Sequence, residues 1–277
     1  GIMDSKRVTS AARIRQLALA VDARVSVRRL TAHLCVPLLA ERDVAHAQFL
    51  AQVLGAPLRS AADRAAQLAL LRSTFRSLWR LPWENRHKEI FWRLAVNGVA
   101  AAGGHDICQA GACPCGWRMS DADRRRGRGD LLRQHYFWDC PVAGAVRDQL
   151  TAALPGGLER GHLWLVRPPA RAVHRGVWQV VCLAALGAME HGRRLLWRLW
   201  LEPRQAGRGP PATAVEVLRR AGRAAAAWFW VEVQDFCTTP GARSGDVPAW
   251  GPVPAGHPFV APDPGAPGLL ARVPGGL

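Results

Sequence analysis

Two closely spaced pairs of potential metal ligands constrain this chain more than any other feature. Cys113-Pro114-Cys115-Gly116 is followed, after about twenty residues, by His135-Tyr-Phe-Trp-Asp-Cys140. Each pair can form a local chelate, and a metal bound by both closes the loop between them. Thiolates and imidazole are the donors that zinc prefers. A centre filled by four protein groups is structural, because no position is left for a reacting water. Cys113, Cys115, His135 and Cys140 are therefore the expected ligands of one Zn2+. Gly116 fits the same reading, since a turn there brings backbone N–H groups toward a thiolate. Two alternatives stay open: scattered free cysteines with His135 a polar helix residue, or Cys108 replacing one ligand across flexible Gly111 and Ala112. Cys35, Cys182 and Cys237 lie on helical patterns or at a helix end and read as buried thiols.

Around this loop the apolar spacing is helical and no run alternates convincingly. Thr9-Ser10 can cap a helix through about Ala23, a second fits Asp43 to Leu54, and a third starts at Ser60 with Asp63 in the capping position. Pro82 breaks the chain. Residues 83–97 follow as a helix with Trp83, Ile90, Phe91 and Leu94 inward. Gly98 to Asp130 reads as a long loop, and a short helix spans Val142 to Leu154. Two longer helices cover about Arg171 to Leu201, with Arg193, Arg194 and Arg198 in its last turns, and a stretch after Pro211 that carries Trp228, Phe229 and Phe236. Beyond Thr238 the Pro- and Gly-rich sequence has no periodicity and reads as a disordered tail. The fold class is all-α, a bundle-like arrangement with an irregular zinc-binding loop insert. The expected regions are an N-terminal helical part (1–80), the zinc-binding part (81–154), a C-terminal helical pair (155–237) and the tail (238–277).

Composition sets limits on partners. At 49% hydrophobic the chain can bury a core, and 37 basic against 21 acidic residues leave a net charge of +16. That excess favours polyanionic partners. Yet Lys6 and Lys88 are the only lysines, and an Arg-, Ala-, Gly- and Pro-rich chain of this kind also reflects GC-rich codon usage. No secretion signal opens the sequence, and its most apolar stretch, Val177 to Met189, stops at Glu190, short of the roughly 20 residues of a bilayer span. The expectation is an intracellular protein, of nucleus or cytoplasm, without membrane or small-molecule substrate. The first residue is Gly and the earliest methionine is Met3, which suits a piece of a longer reading frame.

With Lys88, Phe91, Trp92, Arg93 and Asn97 on one helix, then Cys113-x-Cys115-Gly116, then His135-x-Phe137-x-x-Cys140-Pro141 and an apolar helix, residues 80 to 200 resemble the zinc-binding region of non-LTR retrotransposon reverse transcriptases. The helix holding Trp178 and ending near Trp197 is similar to the Trp-containing helix that follows in that family. The family usually has C-x-x-C and a Glu-Thr step before the His. Here stand C-x-C and Leu131-Leu132-Arg133-Gln134, and the loop carries an Arg-rich insert. The resemblance implies zinc on the four ligands and a role in holding RNA or DNA near a polymerase, which would be part of a longer retroelement protein.

Arg124, Arg125, Arg126 and Arg128 crowd that insert. They can track phosphates without reading sequence, or form a solvated charge run that contacts nothing. Trp117 and Trp138 flank the ligands and can stack on bases or be buried. A polymerase centre is absent: Tyr136, the one tyrosine, is not followed by paired aspartates, and neither G-x-S-x-G nor G-K-[ST] occurs. Trp83, Glu84, His87 and Glu89 lie close together, but His87 and Glu84 on one helical face read as a solvated polar surface and not an active site. The expectation is a non-catalytic, zinc- and nucleic-acid-binding segment. The alternatives are a stand-alone helical protein-interaction module with a purely structural zinc, and a decayed retroelement remnant.

Overall fold

The computed structural model describes residues 42–58, 60–98, 112–154, 156–170, 173–206, 213–239, 253, 256–263 and 270–273, with the side chains of 202–206 and 262 outside the description. The expected helix from Thr9 to Ala23, Cys35 and Cys108 lie outside the described residues. The chain divides into two compact units, residues 1–46 and 47–277. Of the first unit only residues 42–46 are described.

The fold is mostly α-helical, as the periodicity predicts. Residues 42–54 form α1. Helix α2, Ala61–Trp79, starts where the capping signal placed it: Ser60 Oγ accepts the Asp63 N–H at 3.0 Å, and Leu68, Leu71 and Leu78 are buried. Helix α3, Asn85–Ala95, buries Ile90, Phe91 and Leu94. It ends at Asn97, whose left-handed φ of 56° lets Gly98 N–H reach back to Arg93 O at 2.7 Å. Asn is among the few residues with a side chain that take up this conformation readily.

Of the expected long loop from Gly98 to Asp130, residues 99–111 lie outside the described residues, and residues 112–130 are more ordered than their composition suggests. Two short helices occupy part of it, α4 (Asp121–Arg125) and α5 (Gly129–Gln134). Ser120 caps α4, its Oγ accepting from Asp123 N–H at 3.1 Å. A π-helical turn, His135–Asp139, runs on from α5, and α6, Pro141–Ala153, begins at once. Helix α7, Arg160–Trp164, was not expected from the sequence.

The core is built on α8 (Arg175–Ala206) and α9 (Ala214–Thr238). A capping box starts α9: Thr213 Oγ1 accepts from Glu216 N–H at 3.2 Å, and Thr213 N–H donates to Glu216 Oε2 at 2.9 Å. Gly187 faces Glu232, His191 stacks on Trp228 and Gly192 faces Ala225, so the pair runs antiparallel. At Gly192 three elements meet. A Cβ there would lie 2.5 Å from Ala225 Cβ, 2.6 Å from Val142 Cγ1 and 3.2 Å from Ala221 O, so α6, α8 and α9 pack this closely only around glycine. Arg193, Arg194 and Arg198 fall in mid-helix and not in the last turns, because α8 continues to Ala206. Arg194 and Arg193 instead approach buried Glu190, at 2.9 and 3.7 Å, and Arg93 of α3 grips the same carboxylate with two bonds of 2.9 and 2.8 Å.

The reading of everything after Thr238 as disordered is corrected in part. Val260–Pro262 (β1) and Leu270–Arg272 (β2) pair antiparallel, Val260 opposite Arg272. Phe259, Val260 and Leu270 are buried, and the Phe259 ring lies 6.2–6.3 Å from those of Trp178, Phe229 and Trp230. Strands of three residues are too short to show alternation, and their order comes from docking on the helical pair. Among the described residues no helix is long and apolar enough to cross a membrane.

Candidate metal centre

Cys113 to Gly116 forms a tight turn in which Gly116 N–H donates to Cys113 O at 3.0 Å, with Pro114 in the second position that its fixed φ suits. Gly116 has φ 96°, a value that side-chain-bearing residues rarely take. Around the turn the chain pairs back on itself: Cys113 N–H donates to Trp117 O at 2.9 Å, and Ala112 bridges Arg118. This turn sets both thiols of the C-x-C pair on one side of a small knuckle.

The second pair depends on the π-helical turn. Cys140 N–H donates to His135 O at 2.7 Å, an i→i+5 bond. In a regular α-helix residues five apart would point about 140° away from each other, so His135 and Cys140 could not share a ligand. The wider turn aligns them, as such turns often do at functional sites. Pro141 then opens α6, and Cys140 is its N-cap residue with extended backbone (φ −61°, ψ 137°).

The two halves converge. One donor atom from each of Cys113, Cys115, His135 and Cys140 lies within 4.8 Å of all the others. Cys115 Sγ is 3.4 Å from His135 Nε2. Around a tetrahedral zinc with bonds of about 2.3 Å to sulfur and 2.0–2.1 Å to nitrogen, these two atoms would stand roughly 3.5 Å apart. Cys113, His135 and Cys140 are buried and Cys115 is half-buried.

Backbone polarity favours negative charge on the sulfurs. Cys115 N–H donates to the Cys113 sulfur, Trp117 N–H to that of Cys115, and Val142 N–H, in the first turn of α6, to that of Cys140. The three sulfurs divide their protons unequally. Hydrogen bonds from Cys113 and Cys140 hold Cys115 well below the ordinary thiol range. The bond to Cys115 raises Cys113. For Cys140 the bond to Cys113 lowers, but the bond to Cys115 and burial outweigh it, and the thiol is pushed up to about 12. A divalent cation can replace the shared protons. The group is thus a Cys3His cluster able to hold a metal ion.

Its surroundings fix the ligands. Trp117 stacks on the His135 ring at 4.3 Å and 7°. Tyr136 Oη donates to Ala112 O at 3.4 Å, linking the knuckle to the π-helical turn. Arg147 covers half-buried Trp138, its guanidinium 4.6 Å from the ring centre. Both tryptophans therefore serve the local core. Cys182 is fully buried with its thiol raised by desolvation, and burial pushes Cys237 up to about 12, so both are the buried thiols expected.

Compared with known protein families, curated proteins and solved structures, the chain matches none.

The structure separates the four arginines of the insert. Arg128 makes a bidentate pair with Asp130 at 2.9 and 2.8 Å, and Arg124 approaches Asp121 at 3.7 Å. Arg125 and Arg126 are exposed, and among the described residues neither forms an ion pair. Arg133, not singled out from sequence, is the buried member of this basic stretch. It donates to Gln52 Oε1 at 2.8 Å and Leu94 O at 3.0 Å and lies over Phe49, and burial lowers its pKa to about 10. Its acceptors include a carbonyl in the last turn of α3, a role that the pattern Leu-Leu-Arg-Gln gives no sign of.

The solvated-face reading holds for Glu84, which is exposed, but not for His87, which is buried together with Trp83, the latter facing inward as the periodicity predicts. Their partners are Glu232 and Asp235 of α9, residues that sequence reasoning missed. Two acids three apart in the otherwise uncharged second half of α9, after Arg223, were the available signal.

Proposed function

We propose that this chain is a non-catalytic, zinc-stabilised nucleic-acid-binding segment, similar in role to the region that follows the polymerase in non-LTR retrotransposon reverse transcriptases. In this reading Zn2+ is held by Cys113, Cys115, His135 and Cys140, and Arg124, Arg125, Arg126 and Arg128 contact the phosphates of RNA or DNA without reading sequence. The observation that carries the zinc assignment is the donor set: three sulfurs, each receiving a backbone N–H, beside an imidazole nitrogen at a metal-ligand spacing. Soft thiolates with one imidazole in a compact cluster suit zinc over magnesium or calcium, which take oxygen donors. Four protein ligands leave no open position, so this zinc orders the chain and activates no water.

Support for nucleic acid comes from where the arginines stand. The insert lies between Cys115 and His135, so the metal closes the loop that presents Arg125 and Arg126 to solvent. Zinc-loaded protein should bind single-stranded RNA in low salt, with affinity falling as salt rises, and changing all four arginines to serine should flatten that dependence. Binding that ignores salt, or zinc that fails to bind after refolding, overturns the reading. The helical protein-interaction alternative has its own support in the exposed apolar side chains Val215 and Val231 of α9.

A further inference from the structure

We propose that His87, Glu232 and Asp235 form a second divalent-metal site, built of nitrogen and oxygen donors and separate from the Cys3His cluster. Glu232 and Asp235, three apart, share one face of α9, and His87 in the first turn of α3 stands against them. One donor atom from each lies within 4.8 Å of the other two.

The details favour a cation over a simple ion triad. Arg86 Nε–H donates to His87 Nε2 at 3.1 Å, so that nitrogen presents a lone pair. Asp235 Oδ2 stands 3.5 Å from the same nitrogen. That is too long for a charge-assisted hydrogen bond, normally about 2.7–2.9 Å, and close to the roughly 3.3–3.5 Å between ligands bonded at about 2.0–2.2 Å to a tetrahedral ion. On the other side of the ring, Glu232 Oε2 forms a buried ion-pair contact of 2.6 Å with His87 Nδ1, the nitrogen that carries the proton when Nε2 accepts from Arg86. A carboxylate on one ring nitrogen is what orients a metal-binding imidazole and raises its basicity, leaving Nε2, beside Asp235, to face the ion. A 2+ ion would also balance the two carboxylates.

Supporting contacts orient the donors as they do in metal sites. The Trp83 indole stacks on the His87 ring at 4.0 Å and 10°, and its N–H donates to Asp235 Oδ2 at 2.9 Å. The Trp228 indole N–H holds the other Glu232 oxygen, Oε1, at 2.7 Å. His87 and Glu232 also line a cleft of about 750 Å³ between α3, α8 and α9, which gives an ion a way in. Arg86, its side chain 67% exposed, can swing off the Nε2 lone pair as the ion binds. One imidazole and two carboxylates suit Zn2+, Co2+ or Mn2+.

Cobalt titration of the full chain tests this and keeps the two sites apart. Thiolate-bound Co2+ gives intense near-ultraviolet charge-transfer absorption, whereas a nitrogen–oxygen site gives only weak visible bands. The expected result is two equivalents, one of each signature. Asp235→Asn retains an acceptor for the Trp83 N–H, and Glu232→Gln retains one for Trp228. Each should weaken the second equivalent at least tenfold and leave the thiolate bands intact, and His87→Ala should abolish it. A single equivalent in the wild-type chain, or a second that persists unchanged in the Glu232→Gln, Asp235→Asn double variant, overturns the proposal. Loss of the thiolate bands alone would count against the Cys3His assignment and leave this one standing.

Discussion

The metal knuckle and the α8–α9 pair lie in the same unit but are ordered by different physics. In the pair, Val177, Val181, Ala184 and Ala188 of α8 and Val217, Ala225, Phe229 and Val233 of α9 are buried at helical spacing. Many small apolar contacts share the load there, so no single side chain decides whether the pair forms. Between Ala112 and Cys140 the elements are a bridge, two helices of five and six residues and one π-helical turn. Helices that short are not stable by themselves. Their order rests on a few directional interactions, chief among them the four donors of the cluster. Removing one group should therefore be severe in the knuckle and local in the pair.

The largest effect is expected at the ligands. Structural zinc supplies on the order of 10 kcal/mol of folding free energy in small zinc modules. His135→Ala or Cys113→Ser should abolish the thiolate-bound metal and open residues 112–140 to protease. Far-ultraviolet circular dichroism should keep most of its helical signal, because α8 and α9 do not depend on the ion. Loss of the whole helical signal would break the contrast between the regions.

Next in size is a single methyl group in the pair. Gly192→Ala places a carbon 2.5 Å from Ala225 Cβ and 2.6 Å from Val142 Cγ1, closer than real contacts allow. Overpacking of this kind costs about 3 kcal/mol, which for a chain of this length lowers Tm by roughly 6–12 °C. Cobalt affinity at the thiolate site should stay unchanged. A variant as stable as the wild type would show that α6 and α9 can part at this point without penalty.

How far each region could be read from sequence follows the same division. Periodicity located α2, α3, α6, α8 and α9 because each buries a stripe, and Ser60 marked a start that its hydrogen bond realises. The four clustered residues were legible for a different reason: Cys and His have few other uses at that spacing. The π-helical turn was not legible, since His135 to Asp139 reads like the end of any helix and only the Cys140–Pro141 step hints at a change. Arg133, Glu190 and the His87–Glu232–Asp235 group were hidden because their partners lie far away in sequence, 81 residues from Arg133 to Gln52 and 97 from Glu190 to Arg93. Local patterns carry no information about such pairs. The docked hairpin was missed because its order comes from tertiary contact alone.

That hairpin supplies a smaller, pH-dependent test. His257 is buried beside Phe259, and burial, with His174 nearby, lowers its pKa from 6.5 to about 4. The folded chain thus keeps His257 neutral where the unfolded chain would protonate it. Its contribution is fully present above pH 6.5 and is lost as pH falls toward 4, a change of up to about 3 kcal/mol. Acidification over this window should release the hairpin, read as faster amide exchange at Val260 and Leu270, before α9 unfolds. His257→Gln, which cannot titrate, should remove the pH dependence. Exchange that stays flat from pH 7 to 4 in the wild type would show that the buried ring does not control docking.

The smallest expected effect on stability lies in the insert, and there the four arginines should separate. Arg128 closes a bidentate pair on Asp130 at the start of α5, and Arg124 faces Asp121 across one turn of α4. Arg125 and Arg126 are exposed and make no ion pair among the described residues, so nothing in the local fold needs them. Exposed pairs such as Arg128–Asp130 are screened by solvent and contribute little, so even Arg128→Ser should shift Tm only slightly, and the double change Arg125→Ser, Arg126→Ser should not shift it at all. Binding to single-stranded RNA should show the reverse order. Each neutralised phosphate adds about 0.7 to the slope of log affinity against log salt. Losing Arg125 and Arg126 should therefore reduce that slope by about 1.4, whereas Arg128, already engaged by Asp130, should reduce it less. The measurement is a salt titration of binding on the metal-loaded protein, with Tm and cobalt spectra as controls. Equal slopes for wild type and the Arg125, Arg126 double variant would identify the insert as a solvated charge run, and the nucleic-acid contact would have to be sought elsewhere on the chain.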